Sequence, residues 1–172
     1  MRGSETCRIV FVDLDGTLWD HEDVSQMHPP FRKMGEGVIV DSNGSVLRVN
    51  EHMLEILKNL KKEQILLSTL SWNNPDIALQ ALQELGLREL FHYHAIEFHP
   101  RKDLMAEKAL AFFTVKYGCK DFKIVYIDDR DTHLNDFKKK YPDTCFIMAW
   151  RDFSNFEEGL EAVKKCLENI PH

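Results

Sequence analysis

Residues 8–19 read RIVFVDLDGTLW, and this stretch decides the fold. Four consecutive apolar residues, 9–12, predict a β-strand that is buried on both faces. Asp13 and Asp15 end that strand, and their spacing of two puts both side chains on the same side of an extended chain. Two buried carboxylates need a cation, a proton or hydrogen bonds. Aspartates also cap turns and helices, so the rest of the chain must decide between a site and a simple turn.

Length and composition limit the possible classes of protein. A chain of 172 residues predicts one domain, residues 1–172, and 44% apolar with 29% charged residues is typical of a globular protein. The net charge of −6 argues against a nucleic-acid partner, because such binding depends on neutralising phosphates. A small phosphorylated ligand is compatible with this charge, since a metal ion can supply local positive charge.

Cysteine usage and hydropathy bear on the cellular compartment. Cys7, Cys119, Cys145 and Cys166 form no C-x-x-C pair, which favours reduced thiols in a cytoplasmic protein without disulfides. The sequence has no apolar run long enough to span a membrane and no apolar signal-peptide segment near its start. We therefore expect a cytoplasmic protein without a membrane partner.

Short apolar strands alternate with helical patterns along the chain. After the first strand, further strands are predicted at residues 64–70, 93–98, 122–127 and 144–149. Such alternation predicts an α/β fold: a three-layer α/β/α sandwich around a mainly parallel, five-stranded Rossmann-like sheet.

One insertion interrupts this alternation. Residues 31–50 contain two β-type runs on either side of Asn43-Gly44, which is typical of a β-hairpin. We predict a small hairpin flap here. It is too short to be a separate cap domain.

Polar residues follow four of the predicted strands, at the edge where parallel sheets bind ligands. These residues are Asp13, Asp15, Ser71, Lys102, Asp128 and Asp129. Carboxylates suit a hard cation such as Mg²⁺, and a hydroxyl and an ammonium suit anionic oxygens. The set therefore predicts phosphoryl-transfer chemistry.

The same residues resemble a known family. Asp13–Leu18 resembles the first motif of the haloacid dehalogenase (HAD) superfamily of aspartate-nucleophile phosphatases, and Leu67–Ser71 resembles the second. Lys102 and residues 127–129 resemble the third and fourth motifs, in the family's order and over nearly the whole chain. The resemblance implies an HAD-like fold, and the insertion is similar to the family's usual squiggle and flap.

A narrower similarity is to the magnesium-dependent phosphatase-1 family, small capless enzymes associated with phosphotyrosine-type and sugar phosphates. Trp19, Phe31 after two prolines, residues 71–74, and His99-Pro100 carry it. The chain departs from animal members after Ser71, where they have Arg-Thr-Ser, and before the lysine, where they have a longer Pro-Gly-Ser segment. This departure concerns the substrate more than the chemistry.

The resemblance implies the chemical roles of the first two aspartates. Asp13 would be the nucleophile that forms an aspartyl-phosphate. Asp15 would protonate the leaving oxygen and then take a proton from the attacking water. It would also lend its backbone carbonyl to Mg²⁺. The presence of this acid favours a phosphatase over a dehalogenase.

The other motifs imply metal and substrate contacts. We favour Asp128 as the direct carboxylate ligand of Mg²⁺ beside Asp13, with Asp129 next to these ligands but not bound to the metal. Either of the pair could be the ligand. Ser71 would bind a phosphoryl oxygen, and Asn73 or the backbone of Trp72 would add a donor. Lys102 would hold Asp13 and the phosphoryl group, with Arg101 as its rival. Trp72, Trp19 and Phe31 are candidates for contact with the leaving group, although core packing suits Trp19 equally well.

Four other functions compete with a Mg²⁺-dependent phosphomonoesterase. His92, His94 and His99 could form a zinc site, but the sequence offers no fourth ligand nearby. A signalling receiver domain would put its acidic pair on the first strand and its lysine on the last. A non-catalytic phospho-ligand-binding protein would not need every catalytic group, and a phosphotransferase usually carries a larger cap. We expect the substrate to be a phosphorylated small molecule or a phosphotyrosine-containing protein, and the enzyme to be a monomer or a weak homodimer.

Overall fold

The computed structural model describes residues 6–168. The first five and last four residues of the predicted domain, 1–172, lie outside the described residues. The strands are β1 (Thr6–Val12), β2 (Arg32–Gly35), β3 (Val38–Val40), β4 (Val46–Arg48), β5 (Leu66–Trp72), β6 (Tyr93–Glu97), β7 (Asp121–Asp128) and β8 (Cys145–Met148). The α-helices are α1 (Glu51–Lys62), α2 (Pro75–Glu84), α3 (Lys102–Tyr117), α4 (Leu134–Lys140) and α5 (Phe156–Glu168).

The strand that opens the sequence motif is the centre of the main sheet. The strand order is β6-β5-β1-β7-β8, and all four neighbouring pairs are parallel. Residues 9–12 have no exposed surface, as expected for a strand covered on both faces. The prediction of a mainly parallel five-stranded sheet is confirmed.

Helices cover both faces of this sheet. Alternate residues of β1 point to opposite faces, so each face of the strand packs against a different set of helices. Val10 and Val12 belong to the apolar core that includes buried residues of α1, α2 and α5. Ile9 and Phe11 belong to a second core with residues of α3 and α4. The predicted three-layer sandwich is therefore confirmed. No helix within residues 6–168 has the length and apolar content needed to cross a membrane.

The insertion after β1 has three strands, where the sequence predicted two. The predicted hairpin corresponds to β3 and β4, and β2 pairs antiparallel with β3. Sequence reasoning missed β2 because all four of its residues are exposed and form no apolar pattern. Ile39 and Leu47 have no exposed surface and lie in the main core. The insertion is thus anchored by packing.

Strand β5 extends two residues further than predicted. Its backbone stays paired with β6 through Ser71 and Trp72, which lie opposite Ile96 and Glu97. A strand ends where its backbone pairing with a neighbouring strand ends. The apolar pattern of a sequence does not show that pairing. The helix that follows begins at Pro75, with Asn74 as its N-cap.

The expectation of reduced cysteines is wrong. Cys7 is bonded to Cys119, with their Cα atoms 5.7 Å apart, and Cys145 is bonded to Cys166, with a Cα separation of 5.8 Å. The partners are 112 and 21 residues apart in sequence, so the absence of a C-x-x-C spacing carried no information about them. The cytoplasmic location, which drew on that argument, stays a prediction.

Candidate active site

The polar groups predicted to form a site meet at the carboxyl ends of three neighbouring strands. Asp13 follows β1, Ser71 lies near the end of β5, and Asp128 ends β7. Lys102, the first residue of α3, reaches them from one face of the sheet. All four side chains are buried, so each must find a partner.

Lys102 bridges two of the carboxylates. Its Nζ donates to Asp13 Oδ1 at 3.1 Å and to Asp128 Oδ2 at 3.0 Å, and only 4% of the side chain is exposed. Burial by itself lowers the pKa of Lys102, but the attraction of the two carboxylates outweighs it and raises the pKa. Arg101 instead pairs with Asp103 and is largely exposed. Lys102, and not its rival Arg101, is therefore the cation of the site.

Sequence reasoning missed Tyr126, whose hydroxyl donates to Asp128 Oδ2 at 2.5 Å. Its ring and hydroxyl have no exposed surface, and the Nζ of Lys102 lies 5.8 Å from the ring centroid. Burial raises the pKa of Asp128, but Lys102 and the Tyr126 hydroxyl lower it to a net value below its usual range. The spacing of two between Tyr126 and Asp128 on one strand is the sequence signal that could have identified this contact.

Three carboxylates form a cluster that could hold a metal ion. Oxygen atoms of Asp13, Asp128 and Asp129 all lie within 4.8 Å of one another. Asp129 is fixed by Thr17, whose Oγ1 donates to Asp129 Oδ1 at 3.1 Å and accepts from the Asp129 backbone N–H at 3.0 Å. Gly16 has a φ of +71°, and a Cβ there would lie 2.5 Å from Asp129 Oδ2. This position therefore requires glycine.

The side chain of Asp15 lies apart from this cluster and is held by three donors. Its Oδ1 accepts from Trp19 Nε1 at 2.8 Å and from the Val24 N–H at 3.0 Å, and its Oδ2 accepts from Asn73 Nδ2 at 2.9 Å. Burial raises the pKa of Asp15, although these hydrogen bonds oppose the rise. A carboxyl with a raised pKa in a fixed orientation suits a group that donates a proton.

The predicted substrate-binding residues differ in how much of each side chain is exposed to solvent. Ser71 and Asn73 are buried, and Asn73 Nδ2 donates to Ser71 Oγ at 2.7 Å. Trp72 is 48% exposed, and its ring centroid lies 6.2 Å from that of His133. Trp19 is 1% exposed, so it packs in the core and is not a surface for a leaving group. Phe31 is also buried in that core.

The three histidines that suggested zinc have separate partners. His92 Nδ1 accepts from the Leu67 backbone N–H, while His94 and His99 contact the Arg88 carbonyl and the Glu97 carboxylate. Among the described residues, the only group of three or more potential metal ligands is the aspartate cluster. Zinc at the histidines is thus unsupported.

The charge and chemistry of the cluster fit a hard divalent cation. The carboxyl groups of Asp13, Asp128 and Asp129 lie together, and the ammonium of Lys102 pairs with the first two, so the carboxyl groups outnumber the buried cation beside them. Oxygen donors are the ligands that Mg²⁺ prefers in proteins. The residues present therefore fit Mg²⁺.

The chain is similar to known phosphatases. Residues 5–164 match the model of a family described as Acid Phosphatase. The human protein magnesium-dependent phosphatase 1 is 24% identical over 160 residues, which are 92% of this chain and 88% of that protein.

Two solved structures share the fold. One is the N-terminal part of a Bacteroides fragilis protein, which contains a phosphatase domain and was solved with Mg; its TM-score is 0.59 at 16% identity. The match covers 94% of this chain but 40% of that one. The other is 3-deoxy-D-manno-octulosonate 8-phosphate phosphatase from Moraxella catarrhalis, solved with a magnesium ion, a phosphate ion and KDO. Its TM-score is 0.51 at 19% identity, over 93% of this chain and 87% of that one.

Proposed function

Because the chain belongs to the acid phosphatase family, we propose that it is a Mg²⁺-dependent phosphomonoesterase that works through an aspartyl-phosphate on Asp13. The observation that carries this proposal is the pair of bonds from buried Lys102 to Asp13 and Asp128. They fix a carboxylate at the end of the central strand beside a cation that can also face a phosphoryl group. The human relative named a magnesium-dependent phosphatase supports the Mg²⁺ dependence and the phosphatase activity.

Asp13 is the nucleophile of the proposed reaction. Lys102 Nζ donates a hydrogen bond to Asp13 Oδ1, and Thr17 Oγ1 lies 3.4 Å from Asp13 Oδ2. Burial raises the pKa of Asp13 well above its usual range although the Lys102 ammonium opposes the rise, so the anion that must attack phosphorus needs the further positive charge of a bound cation. Mg²⁺, when bound, supplies positive charge to the carboxylates and to the phosphoryl oxygens.

Asp15 is the proton donor and acceptor. It lies two residues beyond the nucleophile, and its raised pKa supports a protonated form before the leaving oxygen departs. Ser71 and Lys102 provide donors for the phosphoryl oxygens. Nucleophilic attack and proton transfer thus belong to two different carboxyl groups.

The contacts support Asp129 as the direct ligand, where the sequence favoured Asp128. Asp128 Oδ2 accepts from both Lys102 and Tyr126, and its Oδ1 accepts from the Arg130 N–H at 3.1 Å. Among residues 6–168, the Thr17 hydroxyl is the only group that donates a hydrogen bond to the Asp129 carboxylate. We therefore assign direct metal ligation to Asp129 together with Asp13, and assign Asp128 to holding Lys102.

This assignment separates two variants. Asp129→Asn is expected to raise the Mg²⁺ concentration needed for half-maximal activity by about 100-fold, because it removes a charged ligand. Asp128→Asn is expected to lower kcat at saturating Mg²⁺ and to change that concentration by less than about tenfold. Mg²⁺ titrations of initial rate distinguish the two. The opposite pattern would show that Asp128 is the direct ligand.

The substrate is an organic phosphate monoester. The half-exposed ring of Trp72, in contact with His133, offers an aromatic surface for a leaving group. This surface favours phosphotyrosine-type esters over sugar phosphates. A phosphotyrosine-containing protein or an aryl phosphate is the substrate class we propose, with the monomer or weak homodimer and the cytoplasmic location kept as predictions.

The activity is tested with p-nitrophenyl phosphate. The purified protein is expected to hydrolyse it with Mg²⁺, to lose activity in EDTA and to regain it when Mg²⁺ is restored, because the carboxylates need the cation to approach a phosphate dianion. A panel of phosphotyrosine peptides and sugar phosphates then defines the substrate. No hydrolysis of any ester in that panel with Mg²⁺ would contradict the proposed function.

A further inference from the structure

We propose that Asn73 is a positioning residue that orients both the proton-bearing oxygen of Asp15 and the hydroxyl of Ser71. This inference deepens the proposed function and rests on it, because it requires Asp15 to be the general acid and Ser71 to bind the phosphoryl group. It also replaces the direct substrate contact that the sequence predicted for Asn73.

Both hydrogens of the Asn73 amide are used inside the protein. Nδ2 donates to Ser71 Oγ at 2.7 Å and to Asp15 Oδ2 at 2.9 Å, and an amide nitrogen has two hydrogens. The side chain is fully buried, and its Oδ1 lies 3.1 Å from the Oγ of Ser25, whose hydroxyl makes its shorter hydrogen bond to Asp23 Oδ1. The two hydrogen bonds of Nδ2 therefore fix the amide, and it has no hydrogen left for a phosphoryl oxygen.

The contacts of Asp15 identify the oxygen that carries the proton. Oδ1 accepts two hydrogen bonds, from Trp19 Nε1 and the Val24 N–H, which fill its two lone pairs. Oδ2 accepts from Asn73, which leaves one of its lone pairs for the acid proton. Asn73 therefore holds the oxygen from which the proton leaves.

The proton on Oδ2 moves twice in one catalytic cycle. In the first step it passes to the leaving oxygen as the ester P–O bond breaks and the bond from Asp13 to phosphorus forms. In the second step water bonds to phosphorus, the bond to Asp13 breaks, and one water proton returns to Asp15 Oδ2. Atoms and charge balance over the cycle, and the orientation of Oδ2 matters in both steps.

The same amide orients Ser71. Because Ser71 Oγ accepts the hydrogen bond from Asn73, its own hydroxyl hydrogen points elsewhere and is available to a phosphoryl oxygen. One side chain thus prepares the proton donor and a phosphoryl-binding donor.

The test uses the dependence of rate on the leaving group. A p-nitrophenolate leaves with little help from an acid, whereas the alkoxide of benzyl phosphate needs a proton. The constant kcat/KM reports the steps up to leaving-group departure. Asn73→Ala is expected to lower kcat/KM for benzyl phosphate by about 100-fold and for p-nitrophenyl phosphate by less than about tenfold.

Two further variants make the result specific. Asn74, the next residue, caps α2 by accepting from the N–H groups of Asp76 and Ile77. Asn74→Ala is therefore expected to lower Tm and to leave the ratio of kcat/KM for the two substrates unchanged. Asn73→Leu keeps a side chain branched at Cγ but lacks the amide, and is expected to behave as Asn73→Ala even if the smaller variant folds poorly.

The outcomes separate the two levels of the proposal. If the wild-type protein hydrolyses both esters and each Asn73 variant lowers both rates by one factor, the positioning role is wrong and the phosphatase function stands. If the wild-type protein hydrolyses neither ester with Mg²⁺, the proposed function fails, and the role of Asn73 fails with it. A selective loss on benzyl phosphate supports the positioning role.

Discussion

Replacement of Asp13 by Asn is expected to abolish turnover, with a loss of at least about 10⁴-fold in kcat. The amide is almost the same size as the carboxylate, but it is a poor nucleophile and carries no charge for Lys102 or a cation. The fold should survive, since Lys102 keeps its bond to Asp128 at 3.0 Å. Steady-state rates with p-nitrophenyl phosphate, together with Tm, measure both effects.

The matched control for this variant is Asp136→Asn. Asp136 pairs with Lys139 at the surface, where both side chains are at least 70% exposed, and such pairs contribute little. We expect its activity to equal that of the wild type. Full activity of Asp13→Asn would contradict the assignment of the nucleophile.

Replacement of Lys102 by Met is expected to remove activity and to destabilise the fold. The variant leaves Asp13 and Asp128 buried without their ammonium, and breaking a buried ion pair in this way costs about 3–5 kcal/mol. Loss of the cation that faces the phosphoryl group should lower kcat by about a thousandfold. Lys108→Met is the control, because Lys108 lies on the same helix but pairs with Glu97 at the surface.

The stability loss of Lys102→Met should depend on pH in a defined direction. Without the ammonium, burial and mutual repulsion raise the pKa of both carboxyl groups above their unfolded values. The folded variant then binds protons more readily than the unfolded chain, so the penalty is greatest near neutral pH and shrinks as pH falls toward about 4. Urea unfolding of both proteins at several pH values measures this. An equal penalty at every pH would show that lost packing, and not charge, is responsible.

Much of the fold and of the site follows from local sequence. The apolar run before Asp13 predicts a central strand because a fully buried strand has no polar face. Asp13, Ser71, Lys102 and Asp128 lie together because parallel strands place their carboxyl ends at one edge. These features depend on chain order and periodicity, which a sequence displays directly.

Other features depend on contacts between distant residues. The hydrogen bond from Asn73 to Asp15 joins residues 58 apart, and the disulfide of Cys7 with Cys119 spans 112. The choice between Asp128 and Asp129 depended on which carboxylate Lys102 and Tyr126 occupy. The spacing of two between Tyr126 and Asp128 is visible in the sequence, but the other contacts have no periodicity or spacing that a single sequence reveals.

The central claim is that Asp13 is phosphorylated during turnover. Acid quenching of the enzyme in the steady state, followed by reduction with borohydride, converts an acyl phosphate on aspartate to homoserine. Peptide mass spectrometry then locates the changed residue. The account predicts homoserine at position 13 only when substrate and Mg²⁺ are both present. Homoserine at another position would contradict it. So would the absence of homoserine at position 13 under conditions in which dephosphorylation limits turnover.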